Sequence, residues 1–360
     1  MTQERLVPGR IDLTVGDVEG AEEYLFGSIR GLEFDAGGRI FVADGDAGEV
    51  RVFDAKGGHL FTIGGSGGGP GEFLQFPCNL TLDPEGRLWV ADGELRWHRY
   101  SVDRRGAVFE GTVGLPDGYR GWCEPLSFPR DGEFITEVVR GGQQGAEAEH
   151  VLARVDLVGR ILQAWPVRVG RALEDFGWTS VTFSRDRGAD VTILFPPPFP
   201  RRPLWARARS GGYAHVETHR FRVEVYETDG ELITVIEQPV APPRLTTEER
   251  RRAEATLDSL RAQFIPLGGY PDFMVPDTKP PVQGLWFDAD GRLWVMINTV
   301  GIGGDNRAQV FSDAGIYLFT ATWPDRVSLG HGAIRGDTAI GVQLGAFDIQ
   351  RVVRIRFDTP

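Results

Sequence analysis

The sequence is poor in cysteine, poor in positive charge and without any long apolar run. Two cysteines, Cys78 and Cys123, permit at most one internal bridge. A disulfide scaffold or a four-cysteine zinc site is thereby excluded. No stretch approaches the roughly 18 consecutive apolar residues that a spanning helix needs, and the opening MTQERLVPGR has no apolar core of the kind a signal peptide requires. The chain reads as soluble. Lys and Arg number 39 against 51 Asp and Glu, for a net charge of −12. That balance repels the phosphate backbone that dominates nucleic-acid affinity, and no basic stripe with interleaved aromatics offsets it. The expectation is no nucleic-acid partner and no membrane span.

Glycine is plentiful: 48 of 360 residues, about twice the usual share of about 7%. With 23 prolines beside it, the chain must turn often, which disfavours long helical bundles. An apolar content of 41% with 25% charged residues supports one large core or two ordinary ones.

The chain also repeats itself. Residues 31–44, GLEFDAGGRIFVAD, and 79–92, NLTLDPEGRLWVAD, share Asp35/Asp83, Gly38/Gly86, Arg39/Arg87, Val42/Val90 and Asp44/Asp92, all at an offset of 48. The same offset carries Thr14-Val15-Gly16 onto Thr62-Ile63-Gly64. A third copy, GLWFDADGRLWV, lies at 284–295, and VRVFDAKG at 50–57 recurs as VEVYETDG at 223–230 and QVFSDAG at 309–315. Each unit holds an apolar run, an Asp-x-x-Gly turn and runs such as RIFV or RLWV, which read as strands. Roughly four short antiparallel strands per 40–50 residues describe a propeller blade.

The expected fold is therefore an all-β, six-bladed β-propeller forming a single domain over 1–360, with blades near 30–65, 78–113, 123–168, 203–237, 282–321 and 330–357. The last blade is closed by the amino-terminal strand around Arg10–Val15, because a ring of radial sheets leaves two strand edges open unless its ends meet. Residues 171–202 are either an elaboration of the third blade or a degenerate blade of their own, which would make seven. One segment departs from the plan. Thr246-Thr247-Glu248-Glu249 offers a capping box, and Ala253, Leu257, Leu260 and Phe264 follow on one face, so a helix is expected near 246–264 within an insertion spanning 239–281.

Gly69-Pro70-Gly71-Glu72-Phe73 followed by LDPEGRLWVAD at 82–92 resembles the NHL-repeat propellers, whose repeats combine a GPGEF-like lead with an Asp-x-x-Gly-x-Leu/Ile-x-Val-Ala-Asp core. More broadly the chain is similar to exported bacterial six-bladed propellers with a helix after a Glu-x-Pro segment, here Glu237-Gln238-Pro239 to Phe264. The resemblance covers about half of the chain and departs in blades three and four. It implies an architecture, not an activity. It also implies an exported, periplasmic or secreted protein, although an acidic cytoplasmic protein would have the same composition.

The repeated Asp44 and Asp92 end second strands beside glycine and read as turn-fixing carboxylates, as do Asp35, Asp83 and Asp288 in the hairpins. The starts of the innermost strands are more telling, since they converge on the axis. Aligning the blades places Arg30, Cys78, Glu124, Gln283 and His331 at one level, with Asn79 one step further. Trp122 and Trp205 stand near the same level, whereas Trp89, Trp97, Trp286 and Trp294 read as filling between blades. This polar ring suits a small polar ligand or a hard cation. His215 and His219 on a strand would lie about 13 Å apart, too far to chelate one ion. His59, His98 and His150 read as surface residues. No Gly-x-Ser-x-Gly elbow and no P-loop is present. Cys78 and Cys123 fall on neighbouring inner strands one position out of register, which leaves open whether their Cα atoms approach within the roughly 7 Å a bridge requires.

Two functions follow. One is a binding or scaffold propeller presenting an axial pocket or a face to a protein, peptide or small polar ligand. The alternative is a divalent-metal hydrolase or lactonase with Ca²⁺ or Zn²⁺ in the channel, held by Glu124, Asn79 and His331.

Overall fold

A computed structural model of the chain describes residues 4–93, 96–121, 123–141, 149–167, 173–183, 190–298, 304–329, 333–345 and 348–358. The repeated Asp-x-x-Gly segments form its hairpins. In the first, Gly38 N donates to the Asp35 carbonyl and Arg39 N donates to Asp35 Oδ1 at 2.9 Å. Asp83 and Asp288 do the same for Arg87 and Arg292. The glycine of each turn is left-handed, with φ of 80°, 81° and 81° at Gly38, Gly86 and Gly291. That conformation is why the repeat keeps glycine there.

Each hairpin belongs to a radial antiparallel sheet. Blade one comprises Ile29–Phe34, Ile40–Asp44, Glu49–Phe53 and His59–Gly64; blade two, Pro77–Leu82, Leu88–Asp92, Arg96–Val102 and Ala107–Gly114. In blade three, Tyr119–Gly121 and Ser127–Arg130 share the inner position, followed by Glu133–Arg140, Glu149–Asp156 and Ile161–Pro166. Blade four runs Pro203–Arg207, Tyr213–Glu217, Arg222–Tyr226 and Leu232–Glu237, and blade five Val282–Phe287, Leu293–Ile297, Asn306–Phe311 and Tyr317–Trp323. Blade six has Val327–Ser328 and Ile334–Arg335 inside, then Thr338–Leu344 and Gln350–Phe357, and takes its outer strand, Leu6–Val15, from the start of the chain. That strand is antiparallel to Gln350–Phe357 and, at Leu6–Pro8, parallel to Thr320–Thr322 of blade five.

The apolar core lies between blades. Six buried clusters each join consecutive sheets, and the cluster holding Ile340, Val342 and Val352 with Val42 and Phe53 joins blade six to blade one. The ring is therefore closed. Among the described residues its thinnest apolar seam lies between blades three and four, where five buried residues (Ile135, Leu152, Val167, Tyr213 and Tyr226) make the cluster.

The described residues of 171–202 add no four-stranded blade. Thr179–Phe183 and Val191–Phe195 form a separate two-stranded sheet, whose Phe183 and Phe195 pack on Phe264 and Tyr270 at the end of the helix. The helix, Thr247–Phe264, begins with the expected box: Thr246 Oγ1 accepts from Glu249 N, and the Glu249 carboxylate accepts from Thr246 N at 2.8 Å. Glu249 also holds the buried Lys279 at 2.5 Å, which fastens the helix to the connector leading into blade five.

Candidate functional site in the axial channel

The inner strands do not present the side chains that their aligned starts suggest. In blades one, two and five the pairing slips between Ile29 and Gly31, between Pro77 and Asn79, and between Val282 and Gly284. Each slip leaves one residue unpaired, the geometry of a β-bulge, which re-aims the side chain. Those residues are Arg30, Cys78 and Gln283. The Arg30 guanidinium lies over the Phe76 ring at 4.6 Å. Cys78 is buried and bonded to Cys123, with a Cα separation of 5.4 Å. Gln283 lines a different cleft, of about 590 Å³, between the helix and blades four and five. Arg30 and Gln283 are thus not brought to the channel wall. Trp122 and His331 lie outside the described residues.

Inner-strand residues of all six blades enclose an axial cavity of about 260 Å³. Asn79, Glu124 and Trp205 line it as their alignment suggested, together with Glu33, Arg207 and Trp286. Blades one and two can crowd the axis because residue 31 is glycine: a Cβ there would fall 2.9 Å from Asn79 Cα. The wall is stapled by hydrogen bonds from Asn79 Nδ2 to the Cys123 carbonyl (3.3 Å), from Leu126 N to Thr81 Oγ1 (3.0 Å) and from Ser127 Oγ to the Ala208 carbonyl (2.7 Å). Toward the face that carries the hairpin turns, Arg209 of blade four reaches Glu33 of blade one at 3.0 Å, a bridge spanning the axis. Glu33 is 3% exposed and also accepts from Phe34 N at 3.0 Å.

Charge gathers at the thin seam between blades three and four. Arg207 Nη2 donates to the Pro125 carbonyl. Arg207 Nε and Nη1 are buried and have no hydrogen-bond partner among the described residues, and the same holds for Trp286 Nε1. Burial pulls the Arg207 pKa down, against the carboxylates of Glu124 and Glu137. Glu137, 4% exposed, accepts from His150 Nδ1 at 2.8 Å, and that hydrogen bond outweighs burial in raising the histidine pKa. The Glu124 side chain is open to the lumen. Desolvation by the neighbouring protein nonetheless pushes its carboxyl above the usual carboxylate range, over the opposing pull of Arg207 and with the added repulsion of Glu137.

A raised folded-state pKa means the folded chain holds the Glu124 proton more tightly than the unfolded chain. Below the unfolded value this proton costs folding nothing. As pH rises through the unfolded pKa the wild type loses stability, and the loss levels off above the folded pKa. Glu124→Gln is expected to remove this dependence. Denaturant unfolding of both proteins from pH 3 to 8 checks it: the stability difference should shift in favour of the variant as pH rises, and a constant difference contradicts the assignment.

The repeated acids outside the channel hold turns. Asp44 accepts from Gly27 N and Ser28 N, and Asp92 from Leu74 N and Gln75 N, at 2.9–3.0 Å. Burial works against the charged form of Asp92, but those backbone donors and Arg96 hold its pKa below the usual value. His98 is no surface residue. It is 1% exposed, with Nε2 3.4 Å from Asp92 and Nδ1 3.0 Å from Thr112 Oγ1, and burial lowers its pKa. Among the described residues no three His, Cys, Asp or Glu side chains cluster closely enough to hold a metal. Trp89, Trp97 and Trp294 are buried between blades as expected, but Trp286 faces the cavity. Arg207, Glu33 and Trp286 were missed: Glu33 and Trp286 follow bulges, whereas Arg207 lies at the far end of an inner strand that pairs in regular register, away from the aligned starts. A charged residue interrupting an apolar inner strand, as in PLWAR and IRGLEF, is the signal that marks the first two.

A family model described as a 6-bladed beta-propeller matches residues 11–92, the closing strand through the second strand of blade two. No curated protein matches the chain. Among solved structures, a member of the duf4221 family from Bacteroides vulgatus is 10% identical over 99% of each chain, with a TM-score of 0.54. Virginiamycin B lyase from Staphylococcus aureus is 11% identical over 97% of this chain and 99% of its own, with a TM-score of 0.44. A calcium-binding regucalcin from Agrobacterium tumefaciens is 12% identical, covering 98% and 96%, with a TM-score of 0.43. The first of these likenesses shows the fold.

Proposed function

We propose that this propeller is a binding protein whose axial cavity takes a small polar molecule with a hydrogen-bond acceptor and a ring or other flat body. The observation that carries this reading is the set of unmet donors in the cavity wall. Arg207 Nε, Arg207 Nη1 and Trp286 Nε1 are buried without partners, and each such group costs about 1–3 kcal/mol unless something satisfies it. A ligand whose arrival re-aims Arg207 supplies that partner. Trp205 and Trp286 offer flat apolar walls, and the Glu124 carboxyl adds a polar group to the same space. At about 260 Å³ the cavity suits a ligand of monosaccharide or dipeptide size.

A central divalent cation has less support. Glu124 and Asn79 do share the cavity, but the Arg207 guanidinium faces the same carboxylate and opposes a second positive charge there. The Cys78–Cys123 bridge supports an oxidising compartment, where such bonds persist.

Thermal unfolding against a panel of monosaccharides, sugar acids and dipeptides tests the reading. At least one class should stabilise the wild type saturably. Arg207→Met should cost that ligand about 2–5 kcal/mol of binding, roughly thirtyfold or more in affinity, measured by titration calorimetry. Unchanged affinity in Arg207→Met would move the ligand out of the channel.

A further inference from the structure

On the opposite side of the Glu33–Arg209 bridge, the hairpin-turn face opens a second pocket of about 370 Å³. It shares Arg209 with the axial cavity but is otherwise built from the turns of blades one and two, Phe128 of blade three and Arg335 of blade six. Its charges do not cancel. Asp35 is taken by Arg39 at 2.5 Å and Asp83 by Arg87 at 2.7 Å, with Trp89 Nε1 and two backbone N–H groups as further donors to Asp83. Arg209 is taken by Glu33.

Arg335 is left over. No carboxylate lies within 4 Å of it among the described residues; its guanidinium sits 5.8 Å from the Phe34 ring centre, and its Nε is buried without a partner. A partly buried cation without a counter-ion, in the wall of a pocket that also shows Leu82, Pro84 and Phe128, is a site for a negative group on an apolar body. We propose that this mouth binds a small organic anion, an aryl or alkyl carboxylate, with Arg335 as the primary contact and Phe128 and Leu82 as the apolar wall. The site rests on residues distinct from those of the axial reading, apart from Arg209, and neither depends on the other.

Benzoate is the probe, with benzyl alcohol as its neutral counterpart, followed by titration calorimetry. Benzoate should bind the wild type saturably at low salt, and benzyl alcohol at least tenfold more weakly. Arg335→Gln should lose tenfold or more in benzoate affinity, and Arg335→Lys should retain part of it. Since Arg335 is half-buried, a melting curve without ligand reports whether each variant folds. Ala36→Glu provides an independent arm: residue 36 is an exposed turn position at the pocket rim, so the variant should fold normally while its carboxylate competes for Arg335 and weakens benzoate to a similar degree. Absence of benzoate binding to the wild type, equal binding of benzyl alcohol, or benzoate affinity unchanged in a folded Arg335→Gln or in Ala36→Glu overturns the proposal.

Discussion

Asp92→Ala is expected to lower the unfolding free energy by about 3–5 kcal/mol, the range for removing one partner from a buried charged network. Asp92 is fully buried and serves four donors: Leu74 N and Gln75 N at 2.9 Å, Arg96 Nε at 2.8 Å and His98 Nε2 at 3.4 Å. Its loss orphans two backbone N–H groups of the connector entering blade two and strands Arg96. The pH dependence follows from its depressed pKa. The stability Asp92 supplies is present above the unfolded carboxylate value and is lost as pH falls through the lower folded value. Guanidinium unfolding at pH 7 and pH 3 measures both effects. The wild type should converge toward the variant in acid; a loss below 1 kcal/mol at pH 7, or a gap that widens in acid, contradicts the role assigned to this carboxylate.

Cys78→Ser with Cys123→Ser should cost a similar amount, by a different route. The bridge closes a loop with a sequence separation of 45 residues, and the chain-entropy relation assigns about 4 kcal/mol to releasing a loop of that length. The bridge also fixes the wall beside Glu124, because Cys123 carries the carbonyl that Asn79 Nδ2 contacts. Releasing it should weaken any axial ligand as well as the fold. Unfolding of the oxidised protein, the reduced protein and the double serine variant checks this. Reduced and serine forms should agree with each other and fall below the oxidised form, and equal stability of all three refutes it.

The blade plan was legible because hairpins impose it locally. An Asp that accepts from its own turn, a glycine with φ near 80° and an aromatic or β-branched run afterwards are short-range demands, so they recur at a fixed offset wherever a blade occurs. The capping box at Thr246 and Glu249 was readable for the same reason. The hairpin at 179–195 was ambiguous because its partners, Phe264 and Tyr270, lie some 70 residues further along the chain. The channel was only half readable. Asn79, Glu124 and Trp205 could be placed, but a single unpaired residue inverts which side chains face the axis. Nothing local to Arg30 or Gln283 announces the slip. Arg207 and Arg209 acquire their meaning from Glu124, Glu137 and Glu33, all on other blades, and such pairings follow from the closed ring, not from spacing.

Among the described residues the strand Leu6–Val15 pairs with residues 320–322 and 352–357. Ribosomes add about 5–20 residues per second, so this segment waits roughly 15–70 s before its partners exist. During that interval the strand has no sheet to join, and the side of blade one that packs on blade six stays open. Nascent molecules therefore pass through a long-lived state with unsatisfied sheet margins, during which a chaperone, or a neighbouring polypeptide of the same kind, can occupy the gap.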